Sequence, residues 1–548
     1  MIRIALRSHL WTTAAWAGFF VLYAIIETAS FTRISGGSAR DQAQLGAGLG
    51  GVARSTTYLL PLPEHLETLG GYLAWFLFGF MPVFFALWGL MSGTAAARGA
   101  EERGLIEAWL AQGMRRRRYV VTRVAVFGVP AAAAVVLPAV TAGLIARSTG
   151  AHLSSVGMAL EVIPLTLLTL VWFAAGMLSG QLFSTRRNAL GASIAVALAL
   201  MLLNGFSRTV GWLAPYRWVS PFAYLDRSNP VVAGGHLDVA ATATIAVFAV
   251  TLTGLSAWAF SRRDIGAVIG RRPGARRGPR HPAANPLSRN PLMVTIWDQR
   301  VGLAMWSAGL FLYALMNLSL ARSFVSFFAS QPGGTLGLQA RVAFGLGKGP
   351  DPVIEFIGGE WYPVLCLLLA AFALTQVSRW AAEDTDGRLE MILSAPVPRR
   401  AVVIRRGWSL IIQSLLLIGV AHVAVALSSH AQGFVVDGWK LGLASLLVLP
   451  IGVAFGALGA AAAAARPRAA LALMTAILVV SYVVLFLAVP VFAPSAPPDW
   501  FVNLSVFKLY GNPLVEGVNW PGLAALLGLG GGGFAVAILA MRQRDVGT

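Results

Sequence analysis

Glu101, Glu102, Gly104, Glu107 and Leu110, followed by Arg116 and Arg117, are answered 283 residues later by Asp384, Gly387, Glu390 and Leu393, followed by Arg399 and Arg400. In the first copy Leu105, Ile106, Trp109 and Leu110 recur at helical spacing, with Glu101, Glu102, Arg103 and Glu107 between them. In the second, Leu389, Ile392 and Leu393 form a similar stripe beside Asp384, Asp386, Arg388 and Glu390. Each predicts a short amphipathic helix followed by a basic cluster, Arg115 to Arg118 or Arg399 and Arg400. The chemistry of such a surface is docking rather than bond-making, so these helices receive force from another protein. The alternative is that they lie at a membrane interface with their arginines on anionic lipid.

Other chemistry is sparse. The sequence's one Gly-Lys pair, Gly347-Lys348, is followed by Gly349, where a phosphate-cradling loop needs Ser or Thr. The seven histidines lack ligand spacing, and the single cysteine, Cys366, has no internal disulfide partner. No nucleophile, base and orienter come together in the sequence, so an enzyme is not expected. Glu27 and Glu161 are the acidic candidates for an ion-driven carrier, but they fall near span ends, where a solvated or snorkelling carboxylate suffices.

The elements that position these residues follow from composition. Of 548 residues, 57% are apolar and 12% charged, and the mean hydropathy is +0.70. A soluble domain carries about 25% charged residues, so the fold class expected is an all-α polytopic membrane protein. Apolar stretches of spanning length predict twelve helices, near 10 to 29, 71 to 92, 123 to 146, 158 to 183, 189 to 207, 238 to 260, 301 to 321, 361 to 380, 407 to 428, 439 to 465, 469 to 493 and 520 to 541. The net charge is +19, and thirty of the 42 basic residues fall on the side of the termini. The positive-inside rule then makes both termini cytoplasmic in a multi-pass protein of the bacterial inner (plasma) membrane. Topology accounts for most of the basic excess, and nucleic acid is not an expected partner.

The chain reads as a tandem repeat. Trp16 with Leu22-Tyr23-Ala24 returns as Trp306 with Leu312-Tyr313-Ala314, at 290. Asn229-Pro230-Val231 returns as Asn512-Pro513-Leu514, at 283. Arg262-Arg263-Asp264-Ile265-Gly266 returns as Gln543-Arg544-Asp545-Val546-Gly547, at 281. Together with the acidic segments these landmarks keep one order, which predicts two parallel six-helix halves, 1–265 and 298–548. The joining segment, 266–297, is rich in Arg, Pro and Gly and reads as a basic cytoplasmic linker. Near its end, Leu287 to Arg300 reads as an interfacial helix leading into span 7, as Met1 to His9 leads into span 1.

The run Glu383-Asp384-Thr385-Asp386-Gly387-Arg388-Leu389-Glu390, with Leu393, Pro396 and Arg399, resembles the cytoplasmic signature of type-2 ATP-binding-cassette exporter permeases. The Arg-Asp-Ile and Arg-Asp-Val ends of the halves are also similar to that family. The duplicated layout as a whole resembles actinobacterial exporters of polyketide antibiotics, the tetronasin-type permeases, and mycobacterial multidrug efflux permeases. The resemblance implies a transport subunit without cofactors of its own, partnered by membrane lipid, a hydrophobic small molecule and two copies of an ATPase subunit that hold ATP and Mg. Coupling residues would be Glu101, Glu102, Gly104, Glu107, Leu110, Asp384, Gly387, Glu390 and Leu393. Antibiotic export and resistance would be the outcome. One departure, Gln112-Gly113-Met114 against Ala395-Pro396-Val397, puts symmetric docking in doubt. The competing reading is a twelve-span secondary drug carrier driven by an ion gradient.

Span 2 is dense in aromatics, with Trp75, Phe76, Phe78, Phe80, Phe84, Phe85 and Trp88. Such rings hold bulky apolar cargo by area burial, or simply pack helices. The resemblance implies that the second and fifth spans of each half line the pathway, which names Phe80, Phe84, Asn204 and Tyr482. Segments 30 to 70 and 322 to 360 each reach a Gly-Gly pair, Gly70-Gly71 or Gly358-Gly359, before the next span. They read as an external gate or as passive caps.

Overall fold

A computed structural model describes residues 2–34, 39–58, 60–268, 290–330, 351–385, 387–492 and 497–543. Three sequence features lie outside them: the basic core of the linker, the Gly347-Lys348 pair with most of the second outer segment, and the closing Arg544-Asp545-Val546-Gly547. Asp386 is outside as well.

Helices, joined by turns and loops, are the regular structure of the described residues, which contain no strand. The first six long helices are α1 (Ile2–Ile34), α2 (the helical stretch Leu69–Glu102), α3 (Arg116–Ser148), α4 (Ser155–Leu182), α5 (Arg186–Phe206) and α6 (Val239–Arg262). The second six are α7 (Arg300–Ser330), α8 (the stretch Pro352–Asp384), α9 (Arg399–Ala431), α10 (the stretch Gly438–Ala465), α11 (Pro467–Phe492) and α12 (Trp520–Gln543). Among the described residues, 11 helices are long and apolar enough to cross a membrane. The remaining expected span falls on α11, whose apolar described stretch is Ala469–Leu485.

Helix starts are written locally. Ser154 accepts the Gly157 N–H at the head of α4, and Asp437, 283 residues on, accepts from Trp439 and Lys440 at the head of α10. Asp238 does the same for Ala241 in α6, and Asn519 for Gly522 in α12. Each cap satisfies a backbone donor that the first helical turn leaves without an acceptor.

The chain divides into two compact units, Met1–Gly278 and Pro279–Thr548, and the division falls inside the segment 266–297. Within the first unit α1 packs on α3, α2 on α4 and α4 on α6. The second unit repeats this order with α7 on α9, α8 on α10 and α10 on α12. Small residues make the α2–α4 contact close: a Cβ on Gly93 would stand 2.1 Å from the Phe173 carbonyl, and one on Gly176 2.8 Å from that of Leu90. Where the surrounding lipid is as apolar as the side chains, such backbone approach supplies the packing energy that the hydrophobic effect does not. The landmark tryptophans occupy like positions, Trp16 beside Phe84 at 6.1 Å and Trp306 beside Phe372 at 5.8 Å.

Several expectations need correcting. Met1 to His9 is no separate lead-in, because α1 runs unbroken from Ile2 to Ile34. The lead-in to α7, by contrast, is a discrete short helix as expected, Pro291–Asp298, capped by Asn290. The Gly-Gly pairs do not precede the spans but lie inside α2 and α8, at different registers. What does match is a π-helical turn, Ala74–Phe78 in α2 and Ile357–Trp361 in α8, offset by 283 residues. The aromatics of α2 mostly fill the core: Trp75, Phe78, Phe85 and Trp88 are buried, and Phe84 is the exposed ring.

Candidate functional site

The acidic segments fold alike. In the first unit the helix Arg98–Glu102 ends at Gly104, with φ 68°, and the helix Leu105–Ala111 begins. In the second, α8 ends before Gly387, with φ 71°, and the helix Arg388–Leu393 begins. An L side chain adopts that left-handed conformation only at a cost, so glycine at this position lets the chain turn sharply between two helices. Ile106 and Leu389 are the buried anchors of the two short helices. Leu389 sits among Val402 and Val403 of α9 and Ala537 and Met541 of α12. Glu107 and Glu390 are exposed, as are Leu105 and Met391, while Leu110 and Leu393 are half-buried. The short helices then part ways: the first runs into a second left-handed glycine, Gly113 at φ 82°, and the other into Ala395-Pro396.

Behind the first short helix, charged groups knit four helix ends together. Glu101 Oε1 and Oε2 accept from Arg263 Nη1 and Nη2 at 2.7 and 2.5 Å, and Arg98 Nη1 lies 3.1 Å from Oε2. The Gly266 N–H also donates to Glu101. Arg263 Nε donates to Gln181 Oε1 at 2.8 Å, and Arg98 Nε to the Gly180 carbonyl at 3.1 Å, both at the end of α4. Glu101, Arg98 and Arg263 are all buried. Glu102 is exposed but tied inward, accepting the Arg186 N–H at the head of α5 at 2.7 Å.

The basic clusters hold the same helix ends. Arg116 donates to the Arg263 carbonyl just beyond α6. Arg399, at the repeat position, donates to the Met541 carbonyl in the last turn of α12 at 3.1 Å. A cation on a helix C-terminus satisfies spare carbonyls and opposes the helix dipole. Arg115, Arg117, Arg118 and Arg400 are exposed.

At the opposite ends of α2 and α4, the first unit forms a partly open cavity of about 110 Å³. Asn204, Glu161, Trp75, Phe78, Arg208 and Asp226 are among its walls. Asp226 Oδ2 accepts from Arg208 at 2.5 Å and from Asn204 Nδ2 at 2.9 Å. Phe80 and Phe84 do not line this space, and Tyr482 belongs to the second unit, half-buried against its core. Of the four residues named for the pathway, the cavity thus takes in Asn204 alone.

Glu27 and Glu161 are not solvated, being 9% and 7% exposed. Glu27 accepts a 2.7 Å hydrogen bond from Tyr72. Two further acids escaped the sequence reading because α8 starts earlier than its apolar run: Glu355, which is buried, and Glu360 in the π-helical turn. The Asn-Pro landmarks pack near the starts of α2 and α8. Gly70 abuts the Val231 carbonyl, and Gly358 abuts the Asn512 side chain, leaving no room for a Cβ at either.

Residues 289–542 match the family described as multidrug efflux system permease Rv1217c, C-terminal domain. The second unit is therefore similar to a permease domain of an efflux system, in keeping with a transport subunit rather than an enzyme. No curated protein matches the chain.

Proposed function

We propose that the chain is the permease subunit of an ATP-binding-cassette exporter that moves hydrophobic drugs or polyketide-type antibiotics out of the cell. On this reading it hydrolyses no ATP, and two copies of a separate ATPase subunit, holding ATP and Mg, dock on the short helices Leu105–Ala111 and Arg388–Leu393. The observation that carries the reading is the exposed acid on a helix entered through a left-handed glycine, Glu107 after Gly104 and Glu390 after Gly387, at one offset in both units. The efflux-permease match over the second unit supports it.

Force applied at Glu107 has a path into the first unit. The short helix adjoins the Glu101–Arg263 pair, and that pair grips the ends of α4 and α6. In the second unit Leu389 and Arg399 bear on α9 and α12. Because packed helices shift as units, a push at either short helix reorients spans rather than deforming one side chain.

Reconstitution in liposomes tests the proposal. Transport that needs a Walker-type ATPase partner and nucleotide supports it, and Glu107→Ala with Glu390→Ala then uncouples ATPase stimulation from transport without disturbing insertion. Unchanged efflux by that double variant overturns the coupling role. A second reading, a carrier driven by an ion gradient, is favoured by the carboxylates held within apolar helices at Glu27, Glu161, Glu355 and Glu360. Transport by the chain alone under an imposed gradient would select it.

A further inference from the structure

Glu161 lies 7% exposed in the second turn of α4 and faces the first unit's cavity. Among the described residues its carboxylate has no hydrogen-bond or ion-pair partner, although such a group is expensive to enclose without one. Arg208, the cation in the cavity wall, is engaged elsewhere, on Asp226 and on the Thr57 carbonyl at 2.8 Å. Arg217 adds a second positive charge to Asp226 at 3.6 Å. Asn204 Nδ2 also donates to Asp226, and its Oδ1 is buried with no accessible surface toward the cavity. The cavity thus presents one unpaired acceptor, the Glu161 carboxylate, in a chain whose net charge is +19.

The walls indicate what the missing donor is. Trp75, Phe78 and Phe222 bring aromatic rings to the same space, and the faces of such rings attract organic cations. A hard metal ion instead needs about six or more oxygen ligands. The cavity is not closed off, so the ammonium head of a larger molecule can enter it. Exposed Leu62 and Glu64 at its margin offer a way in for the head and a surface for the remainder.

We propose that this cavity recognises the protonated amine of a cationic amphiphile, with Glu161 as counter-charge and the aromatic walls about it. The inference narrows the export reading to a substrate class and rests on it. It is tested by binding to the purified full-length chain in detergent, which needs neither ATPase nor nucleotide. The probe is dansylcadaverine, a fluorescent primary ammonium, compared with its neutral N-acetyl derivative. The wild type should bind the ammonium at least about tenfold more tightly. Glu161→Gln should abolish that preference, and Glu161→Asp should keep part of it. An unchanged melting temperature certifies each fold. Equal affinity of the wild type for both probes, or a preference that survives Glu161→Gln, overturns the proposal. Nucleotide-dependent export of neutral cargo alongside equal probe affinity would sink the site and leave the export reading standing. Glu161-dependent binding without nucleotide-driven transport would do the reverse.

Discussion

Arg263 and Glu101 are 162 positions apart in the chain yet meet through both guanidinium nitrogens and both carboxylate oxygens, at 2.7 and 2.5 Å. Each side chain is 2–4% exposed. Such a pair contributes little against an apolar replacement of both partners, but removing one strands a buried charge at about 3–5 kcal/mol. Because Arg98 also faces Glu101, Arg263→Met leaves the carboxylate paired and should lower the melting temperature of the purified protein less than Glu101→Leu, which strands two buried guanidinium groups; the double variant still strands Arg98 and should recover only part of the Glu101→Leu loss. Strictly additive losses in thermal melts would contradict the coupling of Glu101 to Arg263.

Gly104 and Gly387 test the backbone separately from packing, since a Cβ would meet nothing within 4 Å at either. Alanine there should cost about 1–2 kcal/mol through the left-handed conformation alone. Asparagine, which tolerates that region, should cost less. Denaturation midpoints that rank alanine equal to asparagine would rule out strain as the cause.

Gly93 is the opposite case. A Cβ would press on the Phe173 carbonyl at 2.1 Å, with backbone rather than a flexible side chain in the way. Gly93→Val should therefore separate α2 from α4 and abolish recovery of folded protein in size-exclusion chromatography, whereas Gly143→Val on α3, where a Cβ meets nothing, should be recovered normally.

Asp238 caps α6, and its carboxyl is held below the usual range by the Ala241 N–H and by Arg227. A lowered folded-state value means that the stabilisation is complete above the ordinary carboxylate range and disappears as pH falls through the folded value. The wild type should thus lose its thermal advantage over Asp238→Asn as melts are taken from neutral pH into the acid range. A constant gap across that range would show that the charge contributes nothing.

The apolar runs announced the long helices because a span must be nearly uncharged for about 20 residues. Gly104 and Gly387 were legible for a related reason: glycine between acidic helix formers marks a turn. The start of α8 was not, because Glu355 and Glu360 interrupt the hydropathy that would have revealed it, and only tertiary packing encloses them. Nor was the role of Glu101. Spacing placed it with Glu107 on a docking face, but whether a carboxylate faces outward or meets Arg263 depends on how α2 and α6 come together. The cavity shows the same division: Asn204 was named from its span, while Glu161 was read as solvated because a residue near a helix end usually is.

The π-helical turns at Ala74–Phe78 and Ile357–Trp361 each accommodate one residue more than a regular turn. Excising that residue would leave a regular turn and keep everything downstream in phase, whereas a deletion in the regular stretch that follows would rotate it by about 100°, the angle between successive residues on a helix. In α2 only the second deletion would swing Glu101 away from Arg263, so the wide turn is the one place near that face of the bundle where a residue could be lost without breaking the ion pair at the other.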